Sequence, residues 1–174
     1  MTSRRNKEYE KTKEYKETFW KIKEFNDWIK RGCPINTKVT HLELQNKQIS
    51  NLPLNIGNLP ALKMICLDGN NLTELPDSIG NLTGLRCLYL HNNQLNTLPA
   101  SIKNLTVLKH LSLHHNQLIE IPDIGNLDKL TYLTFDRCCR DLLRLTSYER
   151  LKSIAKFKKE KPDTKPARMI PLTN

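Results

Sequence analysis

LKMICLDGNNLTELPDSIGNLTG (62–84) is followed directly by LRCLYLHNNQLNTLPASIKNLTV (85–107), and the two stretches align without a gap. Leu62, Leu85 and Leu108 recur at a spacing of 23 residues, the signature of a chain built from copies of one unit. Working outward, VTHLELQNKQISNLPLNIGNLPA (39–61) precedes the pair. LKHLSLHHNQLIEIPDIGNLDK (108–129) follows it and is one residue short, and a fifth copy opens with LTYLTFDRCCRDL.

Each unit begins LxxLxL, an alternation that predicts a short strand with one buried face. Asparagine stands at Asn70, Asn93 and Asn116, where the chain must turn out of the strand. An amide there can bond the backbone of its own turn and of its neighbour, so stacked copies form a ladder of satisfied polar groups. Pro53, Pro76, Pro99 and Pro122 then fix an extended return segment that cannot join a sheet. One unit cannot bury its leucines alone. Stacking the units buries a shared core and predicts an α/β solenoid with a parallel sheet on its concave side. Lys47 and Cys138 occupy the Asn position of the first and last units, so the ladder is expected to be interrupted at both ends, with Cys138 structural.

The pattern LxxLxLxxNxLxxLPxxIGNL resembles the 23-residue leucine-rich repeat found in Ras-interacting scaffolds and in many effector proteins of intracellular bacteria. The resemblance covers roughly residues 39–142, and it is specific because leucines, Asn and Pro agree in register across several copies. It implies a curved solenoid that binds proteins without catalysis. The small size and the Lys- and Asn-rich composition look more like a bacterial effector than a eukaryotic receptor.

Four segments are expected: an N-terminal helical cap over 1–38, the repeats over 39–142, a C-terminal helical cap over 143–161 and a mobile tail over 162–174. Tyr15, Phe19, Ile22, Phe25 and Ile29 recur at helical spacing as an apolar stripe ending near Gly32. Trp20 and Trp28 fall off that stripe. Local packing is the more ordinary fate of single aromatics, but Trp20 is also a candidate interface anchor. Thr146 and Glu149 form a TxxE capping box ahead of Leu151, Ile154 and Phe157, which predicts the closing helix.

Charge is unevenly distributed. Residues 1–31 carry ten Lys/Arg against six Asp/Glu and residues 137–174 eleven against four, whereas residues 32–136 carry seven against eight. Basic ends read first as solvated faces; binding of nucleic acid or an anionic membrane through them is the alternative reading. No apolar run is long enough to span a bilayer and the first residues lack an apolar signal core, so the chain reads as soluble. Five cysteines, Cys33, Cys66, Cys87, Cys138 and Cys139, are an odd number without zinc-like spacing, which points to a reducing cytoplasm and to no metal or cofactor. For a secreted effector the compartment would be the cytoplasm of the host cell.

Positions two, three, five, seven and eight of each unit should face the concave side, stacking in columns about 4.8 Å apart. They place a basic stripe (Lys63, Arg86, Lys109) beside Met64, Tyr89 and Tyr132, and a polar side with His91, His110, His114, His115 and Asp136. These are the expected partner-binding residues, on a face of about 800 Å², with a protein as partner, an enzyme with a coverable active site among the options, and a monomer when alone. Asp68, His91, His114 and Asp136 share one column and raise the thought of a metal or acid–base site. A shallow open sheet lacks the pocket and second shell such chemistry needs, so no catalytic residue and no metal ligand is assigned.

Overall fold

The computed structural model describes residues 17–136 and the backbone of 155–158. Seven strands form one sheet in chain order, every neighbouring pair parallel: β1 (Phe19–Trp20), β2 (His41–Glu43), β3 (Met64–Cys66), β4 (Cys87–Tyr89), β5 (His110–Ser112), β6 (Tyr132–Asp136) and β7 (Ala155–Lys158). The result is the curved leucine-rich-repeat stack that the repeat implies, with the sheet on its concave side. The register is the 23-residue period made spatial: His41, Met64, Cys87, His110 and Tyr132 pair in one row, and Glu43, Cys66, Tyr89, Ser112 and Thr134 in another.

Between those rows runs the inward one, Leu42, Ile65, Leu88, Leu111 and Leu133, at most 1% exposed. A second inward row, Leu44, Leu67, Leu90, Leu113 and Phe135, is fully buried beside it. The return segments supply the opposite wall, with Ile56, Ile79, Ile102 and Ile124 above Leu59, Leu82, Leu105 and Leu127, all fully buried. Dispersion and apolar burial therefore run unbroken along the stack, and each unit depends on its neighbours for them.

The Asn ladder is present and reaches one unit further than expected. Asn93 Nδ2 donates to Leu67 O (2.9 Å) and Leu90 O (3.0 Å), and its Oδ1 accepts from Leu72 N (3.0 Å). Asn116 repeats the pattern with Leu90 O, Leu113 O and Leu95 N. Asn70 Oδ1 accepts from both Lys47 N and Ile49 N at 3.0 Å, so the first unit is served by the second and Lys47 needs no polar replacement. Cys138 lies outside the described residues.

On the convex side, short 3₁₀ turns at Ile56–Asn58, Asp77–Asn81 and Ala100–Asn104 pack one against the next. A Cβ on Gly57 would lie 2.7 Å from Ser78 O, and one on Gly80 would lie 2.6 Å from both Cβ and O of Ser101. Glycine is required there by close approach rather than by φ. The third unit carries Lys103 at the same position, and the fourth unit is one residue shorter between its proline and its isoleucine.

The N-terminal cap differs from a single helix. Residues 19 and 20 are extended and pair with His41 and Leu42, and helix α1 begins only at Ile22 and runs to Lys30. Glu24 in its first turn accepts the Lys21 N–H at 3.1 Å, and Gly32 and Cys33, at φ 79° and 55°, turn the chain out of it. Because the helical register does not extend back through 19, the face that meets the core is shifted. Trp20 (5% exposed), Phe25 and Trp28 are buried, while Ile29 is 39% exposed. Trp28 Nε1 donates to Pro34 O at 2.7 Å and its ring lies 5.7 Å from Phe25 and 6.0 Å from Trp20. Trp20 is therefore a core residue and is withdrawn from the partner-binding set. Tyr15 is outside the described residues.

Ala155–Lys158, expected within the C-terminal helix, runs instead as a strand on β6. The sequence AKFK alternates apolar and basic residues, and pairing satisfies the backbone groups along the open edge of β6. The proposed capping box at Thr146 and Glu149, and Leu151 and Ile154 after it, lie outside the described residues, as does the tail from 162. No helix among the described residues is long and apolar enough to cross a membrane.

Candidate functional site

The concave face is built from the outward rows of β2 to β6 and the residues flanking each strand. At the strand starts stand Lys63, half-buried, and Arg86 and Lys109, exposed. Their backbones form a continuous ladder, Lys63 N to Thr40 O, Arg86 N to Lys63 O and Lys109 N to Arg86 O, each 2.8 Å. None of the three has an ion-pair partner among the described residues.

Next comes a half-buried apolar centre. Met64 pairs with Cys87 across β3 and β4, and Cys66 pairs with Tyr89. Burial first, and then the neighbouring Cys87, Cys66 and Tyr132, push the Tyr89 hydroxyl up to about 12, so the phenol stays neutral. Burial also pushes the Cys66 thiol up to about 12, reinforced by Asp68 and Glu43. Cys66 is therefore a protonated thiol at neutral pH and a poor nucleophile. Cys33, Cys66 and Cys87 are free.

At the strand ends the polar groups are largely occupied by one another. His91 and His114 stack with centroids 4.6 Å apart, and His115 meets His114 edge-on at 5.0 Å. His114 Nδ1 lies 3.1 Å from Ser112 Oγ and 3.0 Å from Thr134 Oγ1, while His91 Nε2 lies 3.8 Å from Asp68 Oδ2. Ser112 is 3% exposed and its hydroxyl already has His114 and Thr134 as partners, so the Asp68–His91–Ser112 order presents no accessible nucleophile. Among the described residues no three His, Cys, Asp or Glu side chains come together to hold a metal.

The structure brings together ten of the twelve sequence-predicted site residues on this face: Lys63, Met64, Arg86, Tyr89, His91, Lys109, His110, His114, His115 and Tyr132. Asp136 is a correction. It is 4% exposed, and its Oδ2 accepts the Asn116 N–H at 3.1 Å, so it serves the backbone of the fourth unit instead of meeting a partner. The eighth position has a backbone role that sequence reading missed: Asn46, Gly69, Asn92 and His115 all have φ between 55° and 68°. The signal was available, since Asn and Gly are the residues that tolerate this conformation. His115 is thus half structural, with Nδ1 2.7 Å from Asn92 Oδ1.

At the N-terminal end of the face His41 stacks on Phe19, centroids 4.0 Å apart, with Nδ1 2.8 Å from Thr40 Oγ1. Burial holds its pKa below the ordinary histidine value, with Glu43 acting weakly in the other direction. The unfolded chain therefore takes up this proton before the folded one, so stability present above about pH 6.5 is lost as pH falls toward the folded value. We expect the melting temperature to fall between pH 7.5 and 5.5, and His41→Gln to flatten that slope. Equal slopes would show that docking of β1 does not depend on a neutral ring.

A family model described as "Leucine-rich repeat region" matches residues 37–115, and one described as "Leucine Rich Repeat" matches 107–127. The comparison with curated proteins gives no match. Among solved structures, a Leptospira interrogans LRR protein is similar at 34% identity and a TM-score of 0.50, over 57% of this chain. The chain covers 26% of that protein's length.

Proposed function

The chain belongs to the leucine-rich-repeat family, and on that premise we propose that it is a non-catalytic module whose concave face covers another protein, blocking or recruiting it. Leucine-rich repeats generally mediate protein–protein interaction and are typically non-catalytic. One observation carries the reading for this chain. Tyr89, Met64 and Tyr132 form a half-buried centre flanked by exposed Arg86 and Lys109, the composition of an interface core with its rim. A rigid sheet presents them at little ordering cost, which favours covering the rim of an enzyme's active site. Free Cys33, Cys66 and Cys87 support work in a reducing cytoplasm. The likeness to a Leptospira protein supports a bacterial setting, and an effector delivered to a host cell is the form this proposal takes there.

The test is capture of partners by the full chain, compared between wild type, Tyr89→Arg in the centre of the face and Asn104→Arg on the convex side. A specific partner should be retained by Asn104→Arg and lost with Tyr89→Arg, both proteins keeping native circular dichroism. Retention by Tyr89→Arg would move the interface off the concave sheet.

A further inference from the structure

The concave face carries charges of both signs, and the structure separates those that are spoken for from those that are not. On the acidic side Asp68 faces His91 and Asp136 bonds a backbone N–H. Along the strand starts, Lys63, Arg86 and Lys109 form a row through three successive repeats with no carboxylate against any of them among the described residues. The strand starts of the face therefore carry a positive, linear row parallel to the axis of the stack, while Glu43 and Asp68 stand in the columns further along the strands.

The spacing of that row selects the shape that complements it. Adjacent parallel strands lie about 4.8 Å apart, so the three cations step along the axis by about 5 and about 10 Å. An α-helix rising about 1.5 Å per residue places residues i, i+3 or i+4, and i+7 on one face at about 5 and about 10.5 Å. An extended strand steps about 6.7 Å between residues on one face and reaches about 13 Å at the third, out of phase with the row by several ångströms. Lys and Arg stems can flex to follow a different spacing, and the helix is the element that matches the row without that adjustment. The neighbouring row, Met64, Cys87, His110 and Tyr132, with Tyr89 beyond it, then meets whatever lies beside the carboxylates, and it is apolar and aromatic.

We propose, resting on the concave-face reading above, that the partner element is an amphipathic α-helix. It lies along the solenoid axis with an acidic stripe at i, i+3/i+4 and i+7 over Lys63, Arg86 and Lys109, and with apolar side chains over Met64, Tyr89 and Tyr132. This is helix-in-groove recognition with the groove replaced by a concave sheet. A single-stranded nucleic acid would place its phosphates on the same three cations, and the third arm of the test separates it from the helix.

The probe is a helical peptide of about 20 residues with Glu at i, i+4 and i+7 and Leu on the adjoining face, measured against the full chain by fluorescence anisotropy. Its control is a peptide of identical composition, equally helical, with the same Glu residues dispersed around the helix; a single-stranded oligonucleotide of similar charge is the third arm. The matched helix should bind about tenfold or more tightly than the dispersed one, and Lys63→Glu/Arg86→Glu/Lys109→Glu should remove the difference. Equal affinity for both peptides, no binding of the matched one, or a preference for the oligonucleotide would each overturn the proposal. The two readings fail separately: natural partner capture that survives the triple reversal but is lost with Tyr89→Arg sinks the acidic helix and leaves the concave interface standing.

Discussion

Leu88→Ala should lower the stability of the protein by about 2–5 kcal/mol, measured by chemical denaturation. Leu88 is fully buried in the middle of the inward row, between Ile65 on β3 and Leu111 on β5. Those neighbours are held by their own strand ladders, so they cannot move far to fill the space, and the cavity term is close to its full size. The loss also falls on both interfaces of the unit, which in a stack held by nearest-neighbour contacts weakens coupling in each direction. Leu88→Met, which conserves volume, should cost less than about 1.5 kcal/mol. An alanine variant that denatures with the wild type would mean that the inward row has been assigned to the wrong face.

Asn93→Ala is expected to lower stability by about 1–3 kcal/mol, although it removes only a few atoms. Asn93 is 7% exposed and its amide serves Leu67 O, Leu90 O and Leu72 N, groups drawn from two different units. The Leu72 N–H loses its one hydrogen bond, at a cost of about 1–3 kcal/mol, whereas Leu67 O and Leu90 O still accept from Asn70 Nδ2 and Asn116 Nδ2. Asn116→Ala, at a half-buried site, should cost less because water can reach the vacated groups. A loss below about 1 kcal/mol at Asn93 would show that water replaces the amide there too.

How far the sequence discloses this molecule follows from which interactions are periodic. The inward leucine rows, the Asn ladder and the outward columns recur every 23 residues, and the register pairs them as the spacing implies. Features that occur once were harder to read. The N-terminal stripe has the spacing of one helix from Tyr15, but Phe19 and Trp20 extend the sheet instead. That shift in phase takes Trp20 and Trp28 into the core and leaves Ile29 outside. Residues 155–158 have apolar spacing that suits either a helix or a strand, and the open edge of β6 decides between them. In the candidate site, column membership was legible but availability was not: Asp136 sits in the same column as His91 and His114, yet it is consumed by the Asn116 backbone.

The interlock on the convex side sets a grammar for how such an array can lengthen. Gly57 and Gly80 each receive a serine from the following unit, whereas Lys103 carries a side chain at that position and is followed by a unit one residue shorter. A tandem duplication of 62–84 inserted after residue 84 would meet glycine behind it and Ser101 ahead, and would join the array. The same copy inserted after residue 107 would drive its serine into Lys103. Growth by duplication is thus permitted upstream and barred at the third junction, so the chain encodes the side from which it can be extended.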